Sequence, residues 1–134
     1  MKNFKFHVDG TSPKEGEVFV FGSNLRGYHG AGAAEEAYRN YGAYMGIAEG
    51  MSGQSYAIPT KDEHLKTLPM SEIKIHVKRF IDYAHAHPDV RFFVTRIGCG
   101  YAGLSNFKMA SLFADAPDNC SFATGWKPYL LGED

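Results

Sequence analysis

Glu17-Val18-Phe19-Val20-Phe21-Gly22-Ser23-Asn24-Leu25-Arg26-Gly27-Tyr28-His29-Gly30-Ala31-Gly32-Ala33-Ala34 is the stretch that decides the fold. Its first five residues form a β-branched and aromatic run behind the turn-rich Gly10-Thr11-Ser12-Pro13, which predicts a buried strand stopping at Gly22. Beyond the loop from Gly22 to Gly30, good helix formers from Ala31 to Tyr41 place Ala33, Ala34, Ala37, Tyr38 and Tyr41 on one face. A helix is therefore expected to begin near His29 or Gly30. Strand, glycine-rich loop and helix in that order are the building unit of a parallel sheet covered by helices.

The rest of the chain repeats this alternation. Gln54-Ser55-Tyr56-Ala57-Ile58 suits a strand ending at Pro59, after a segment interrupted by glycines 42, 46, 50 and 53. From Ser71, a plausible N-cap, Ile73, Val77, Phe80, Ile81 and Ala84 recur at helical spacing, and Pro88 stands just past the end. Val90 to Thr95 then predicts another buried strand, running into a second glycine-rich loop, Gly98-Cys99-Gly100-Tyr101-Ala102-Gly103. A short helix from Ser105 to about Ala114 follows, with Phe107, Ala110, Phe113 and Ala114 toward the core. The expected class is α/β: one three-layer domain over residues 1–134, with a mainly parallel or mixed central sheet and helices on both faces. In such sheets ligands bind at the carboxyl ends of the strands, so two strands ending in glycine-rich turns imply one shared pocket.

Composition narrows the function. The 134 residues carry a formal net charge of −1, so there is no basic stripe of the kind a binder of duplex nucleic acid needs. Hydrophobic residues make up 44% and charged residues 22%, which excludes disorder as a whole-chain property. Two cysteines, Cys99 and Cys120, are too few for a disulfide framework or a structural zinc site, and a reducing cytoplasm is the expected setting. The N-terminal residues lack the apolar core of a signal peptide, and apolar runs elsewhere are too short to span a membrane. The least ordinary feature is glycine. Of 15 in total, eight fall between Gly22 and Gly53.

Gly27-x-x-Gly30-x-Gly32 frees the backbone to present consecutive N–H groups ahead of a helix, whose N-terminal partial charge favours an anion such as a diphosphate. The pattern is neither the dinucleotide fingerprint nor the P-loop, and no lysine follows it to reach a terminal phosphate, so P-loop ATP hydrolysis is not expected. The alternative is that small residues here merely let the helix pack tightly against its strand.

The residues resemble a known family. Val18 to Leu25, followed by Gly27-Tyr28-His29-Gly30-Ala31-Gly32-Ala33-Ala34, is similar to the strand, asparagine and glycine-rich loop of macrodomains, which bind ADP-ribose. Arg96-Ile97-Gly98-Cys99-Gly100-Tyr101-Ala102-Gly103-Leu104 resembles the second, diphosphate-embracing loop of that family, nearest to the branch of terminal ADP-ribose protein glycohydrolases. Tyr56-Ala57-Ile58-Pro59-Thr60-Lys61 sits between the loops as the corresponding strand does there. The resemblance spans roughly Glu17 to Phe113. It implies an ADP-ribose site formed by Gly22, Ser23, Asn24, Gly30, Ala31, Gly32, Gly98, Cys99, Gly100, Tyr101 and Ala102. It further implies an adenine-gripping aspartate ahead of the asparagine strand, for which Asp9 is the candidate. In the glycohydrolase branch a lysine attacks the anomeric carbon with help from an aspartate of the second loop; Lys61 falls near the lysine position, and Ala102 stands about where the aspartate should be.

Asn24 carries an amide that can donate to and accept from ribose hydroxyls at once and, in a hydrolase, would be the catalytic residue that orients the ribose or the attacking water, or it is a turn asparagine. His29, at the start of the expected helix, is a candidate proton donor or a packing residue. Lys61 is the candidate nucleophile, or a solvated lysine in the polar run Lys61-Asp62-Glu63-His64. Cys99 is either an activated thiolate or a small packing residue. Tyr28, Tyr101 and Trp126 are candidates to flank the pocket. His85 and His87 suit helix capping, and no cluster has metal-ligand spacing, so neither metal nor cofactor is expected. The expected function is binding of ADP-ribose or a related nucleotide diphosphate, free or attached to a macromolecule, with hydrolysis at the anomeric ribose bond or a terminal phosphate as the accompanying chemistry. The competing class is a non-catalytic structural or interaction protein, of phage or mobile-element origin, whose glycines serve only tight packing.

Overall fold

The computed structural model describes residues 4–131; residues 1–3 and 132–134, part of the expected 1–134 domain, lie outside it. Eleven elements follow in order: β1 (Lys5–His7), β2 (Glu17–Asn24), α1 (Gly32–Asn40), β3 (Gly50–Ser52), β4 (Ser55–Lys61), α2 (Met70–Ala86), β5 (Arg91–Val94), α3 (Asn106–Ser111), β6 (Cys120–Ala123), a 3₁₀ turn (Thr124–Trp126) and α4 (Lys127–Leu131). The strands form one sheet in the order β1-β6-β5-β2-β4-β3, parallel throughout except for β3, which pairs antiparallel with β4. This is the mainly parallel α/β sheet that the alternation predicts.

Strand periodicity assigns the two faces. Val18 and Val20 of β2, Tyr56 and Ile58 of β4, and Phe92 and Val94 of β5 pack with Ile73, Val77 and Phe80 of α2 and Met109 and Ala110 of α3. Their neighbours Phe19, Phe21, Ala57 and Phe93 point to the opposite face and meet Ala34 and Ala37 of α1. Because β2 is central and covered on both sides, its apolar run is continuous rather than alternating. The connection leaving β2 crosses to one face, whereas those leaving β4 and β5 cross to the other. That divergence opens a crevice above the carboxyl ends of three adjacent strands.

Several local expectations are corrected. β2 does not stop at Gly22 but continues to Asn24, its last residues pairing with Ile58, Pro59 and Lys61 of β4. β4 likewise runs through Pro59 to Lys61. Proline is accommodated because β3 pairs only with Ser55 to Ala57, so the side of β4 facing away from β2 is vacant at Pro59. Helix α1 begins at Gly32, later than His29 or Gly30, and Tyr38 on it is 47% exposed rather than core. Helix α2 begins at Met70 with Pro69 at the N-cap, so Ser71 lies inside it; its five expected core residues are all buried. In α3, capped by the Ser105 side chain accepting from Lys108 N–H, Phe107 is 65% exposed and Met109 takes the core position; Ala114, past the helix, is exposed too. Strands β1, β3 and β6 carry no signal strong enough to be predicted.

Candidate functional site

The crevice is a cavity of about 490 Å³. Gly22, Ser23 and Asn24 from the end of β2 and Thr60 and Lys61 from the end of β4 line it, together with Thr95, Arg96 and Ile97 just past β5. One wall is Gly30 to Ala34, the approach to α1 and its first turn; the facing wall is Gly98 to Ala102. All eleven expected ligand-binding residues are thus brought to one cavity, as the two glycine-rich turns imply.

Both walls carry backbone donors without a protein partner. The N–H groups of Gly30, Ala31 and Gly32 on one side, and of Gly98 and Gly100 on the other, donate to no acceptor among the described residues. Ala31, the N-cap of α1, supplies no side-chain cap, so the helix N-terminus at the cavity keeps its orphan donors and its partial positive charge. Among the described residues, two side-chain cations, Lys61 and Arg96, line the cavity and no carboxylate does.

Asn24 is buried at the cavity floor. Its amide donates to the Tyr28 carbonyl at 2.8 Å and accepts from the Tyr28 N–H at 3.0 Å, fixing the loop that follows β2. This is the turn-asparagine alternative, and it leaves one amide hydrogen for a ligand. The Ser23 hydroxyl donates to the Ala48 carbonyl and the Thr95 hydroxyl to the Val20 carbonyl. Lys61 reaches the rim, with Nζ 5.7 Å from the centroid of the Tyr101 ring, an ordinary cation–π separation. Ala102 faces the cavity with a methyl group, and its carbonyl accepts from Thr67 Oγ1 at 2.9 Å, tying the second loop to the segment after β4.

Three expected residues lie elsewhere or behave otherwise. His29 does not line the cavity: it is 1% exposed, packs edge-on to Phe21 and donates Nε2 to the Tyr44 carbonyl at 3.1 Å. Burial holds its pKa below the ordinary imidazole value, and its place away from the cavity, against Phe21 and the Tyr44 carbonyl, corrects the expectation of a proton donor beside the ligand. Trp126 is fully buried in the core, donating Nε1 to Asn106 Oδ1 at 2.9 Å, and does not flank the cavity. Cys99 does line it, and burial pushes its thiol pKa up, against the direction that an activated thiolate needs. Tyr28 and Tyr101 are both at the rim, the latter 76% exposed.

The glycine density has two causes. Gly27 and Gly53 have positive φ and abut the backbone of Gly46 and Gly42, so they close the loops around β3 by direct backbone approach. Gly30 and Gly32 instead lie under tyrosine rings, Tyr28 over the former and Tyr101 over the latter. The first pair therefore serves loop-to-loop backbone contact, not the packing of a helix against its strand, while the second pair belongs to the cavity wall.

Sequence inspection missed Thr60, Thr95 and Leu65, and quoted Arg96 without giving it a role. Leu65, at the cavity with φ 63°, gives no sequence signal, because a left-handed backbone is expected of glycine or asparagine. Beside the main cavity, and sharing Ala33, Thr95 and Arg96 with it, lies a second of about 220 Å³ that includes His7 of β1 and Asp9 in the turn after it. Asp9, the candidate for the adenine-gripping aspartate, thus lies in the cavity next to the main one.

No protein-family model and no curated protein matches the chain. Among solved structures, the macrodomain of Mycobacterium tuberculosis DarG superposes with a TM-score of 0.65 at 19% identity, covering 87% of this chain and 95% of that one. A protein of unknown function from Bacteroides thetaiotaomicron superposes with a TM-score of 0.57 at 18% identity, covering 90% and 97%. At these identities the likeness establishes the fold: the chain has the macrodomain architecture, as its sequence motifs imply.

Proposed function

We propose that this chain binds ADP-ribose, or a closely related nucleotide diphosphate, in the cavity between the two glycine-rich loops, acting as one macrodomain-like unit over residues 1–134. The observation that carries the reading is the cavity's lining: unpartnered amides on facing walls, a helix N-terminus, two cations and no carboxylate. Such a surface suits a diphosphate, whose charge spreads over several oxygens that amides can reach together. In this reading Gly30 to Gly32 and Gly98 to Ala102 embrace the diphosphate, Gly22 and Ser23 form the floor, and Asn24 contacts the distal ribose. Asp9 in the neighbouring cavity receives the adenine. Macrodomains bind ADP-ribose, and the architecture shared with the DarG macrodomain supports the same ligand class here. The ligand is free or attached to a macromolecule, in a cytoplasmic setting.

Hydrolysis is the second reading, and the presence of Lys61 at the cavity favours it. Against it, Ala102 offers no acid, His29 is turned away, and no carboxylate lines the site to share a proton. Binding is accordingly placed ahead of turnover. Calorimetric titration with ADP-ribose tests the binding reading: a measurable heat and a rise in melting temperature are expected, and neither at millimolar ligand refutes it. Release of ADP-ribose from ADP-ribosylated protein, compared between wild type and Lys61→Ala, tests the second; a catalytic lysine is worth roughly 10² to 10⁴ in rate.

A further inference from the structure

Arg96 occupies the seam between the two cavities, lining both. Its guanidinium is directed rather than loose. Nε lies 3.8 Å from Asp9 Oδ2, and Nη1 donates to Asn106 Oδ1 at 3.5 Å, an oxygen that also accepts from Trp126 Nε1 at 2.9 Å. Because Trp126 is fully buried, Asn106 is anchored to the core, and Asn106 and Asp9 are positioning residues for the arginine. Gly125 makes the arrangement possible: a Cβ there would come within 2.7 Å of Asp9 Oδ2 and 3.2 Å of Arg96 Cδ.

Resting on the proposed binding mode, the positions along the cleft can be matched to the parts of the ligand. The diphosphate lies between the two glycine loops and the base in the smaller cavity with His7, Asp9 and Phe93. What passes Arg96 is then the ribose that joins base to diphosphate. A bare ribose offers a guanidinium only hydroxyl groups, whereas a phosphate on that ribose offers two anionic oxygens matched to the fork of an arginine. Of the guanidinium nitrogens, Nε pairs with the partly exposed Asp9 carboxylate at 3.8 Å and Nη1 with Asn106, while Nη2 has no partner among the described residues. We propose that Arg96 is a specificity-determining residue that reads a phosphate on the adenosine ribose, so that the cleft prefers ADP-ribose 2′-phosphate to ADP-ribose itself.

Titrating the full chain by calorimetry with each of these two compounds tests the proposal. Roughly tenfold tighter binding of the 2′-phosphate is expected, as a charge-assisted bidentate pair provides. Arg96→Gln should erase the preference, costing the 2′-phosphate roughly tenfold more affinity than it costs ADP-ribose, and Arg96→Lys should restore part of it. Equal affinities in wild type, or weaker binding of the 2′-phosphate, overturn the proposal even if no variant folds. Equal losses for both ligands in Arg96→Gln overturn it as well, because the arginine then serves the diphosphate. Binding of neither compound refutes the ADP-ribose reading itself, and this proposal falls with it.

Discussion

His29 illustrates how burial decides what a titratable side chain does. Enclosed between Phe21 and the Tyr44 carbonyl, it has its pKa lowered by burial, and burial likewise lowers the pKa of His7, which stacks on Phe93 and donates to or accepts from Ser121 Oγ at 2.7 Å. Above the ordinary imidazole value of about 6.5 both folded and unfolded chains hold these rings neutral, and nothing is lost. As pH falls below that value the unfolded chain takes up protons that the folded chain refuses, so stability declines until the lowered folded values are reached. The melting temperature should therefore hold level above about pH 6.5 and drop as pH falls below it, and His29→Gln and His7→Gln should each flatten part of the decline. A melting temperature that stays level below about pH 6.5, or a slope unchanged in both variants, would contradict the lowered pKa of the buried His29 and the part-buried His7. Sequence could not reveal this, since His29 reads alike as a proton donor or a packing residue until its neighbours in space are known.

At the scale of elements, the glycine loops separate into parts with opposite sensitivities. Gly27, with φ 73°, would bring a Cβ to within 2.6 Å of the Gly46 carbonyl carbon, and both atoms belong to backbone that cannot swing away. Gly27→Ala should cost more than about 2 kcal/mol, combining left-handed strain with a backbone clash. Gly100, by contrast, has no positive φ and nothing within 4 Å of its missing Cβ. Gly100→Trp should leave stability within about 0.5 kcal/mol of wild type while blocking the cavity, a pair of outcomes that thermal melts and ligand titration distinguish. Gly32 is a poorer probe, because its φ of 58° and the Tyr101 ring above it mix strain with obstruction. The elements that were legible in sequence are those whose signal is repeated along the chain: the core face of α2, the apolar run of β2, and the two loops that end in glycine. The three-residue strands β1 and β3 and the four-residue β6 were not, since hydrogen bonds to partners distant in sequence define them. Proline within β4 misled for the same reason: whether it breaks a strand depends on whether a neighbour needs its N–H.

For the whole molecule, the formal charge of −1 hides an uneven distribution, because the main cavity collects Lys61, Arg96 and the orphan amides of two loops, while Asp9 and Glu36 line the smaller cavity beside it. A concave site lined by one sign of charge concentrates its field and raises the local concentration of an anionic ligand. The consequence is a salt dependence that a neutral packing groove would not have. Between about 0.1 M and about 1 M salt the screening length shrinks from about 10 Å to about 3 Å, so charges at the cleft ends cease to act on the diphosphate except by direct contact. ADP-ribose affinity should fall several-fold over that interval, and Lys61→Gln should both weaken binding at low salt and reduce the slope. Adenosine, which lacks the diphosphate, should bind weakly and with little response to salt. Affinity for ADP-ribose that is independent of ionic strength, or a slope unaltered by Lys61→Gln, would show that the ligand is held by shape and neutral hydrogen bonds, and would remove electrostatics from the account of this cleft.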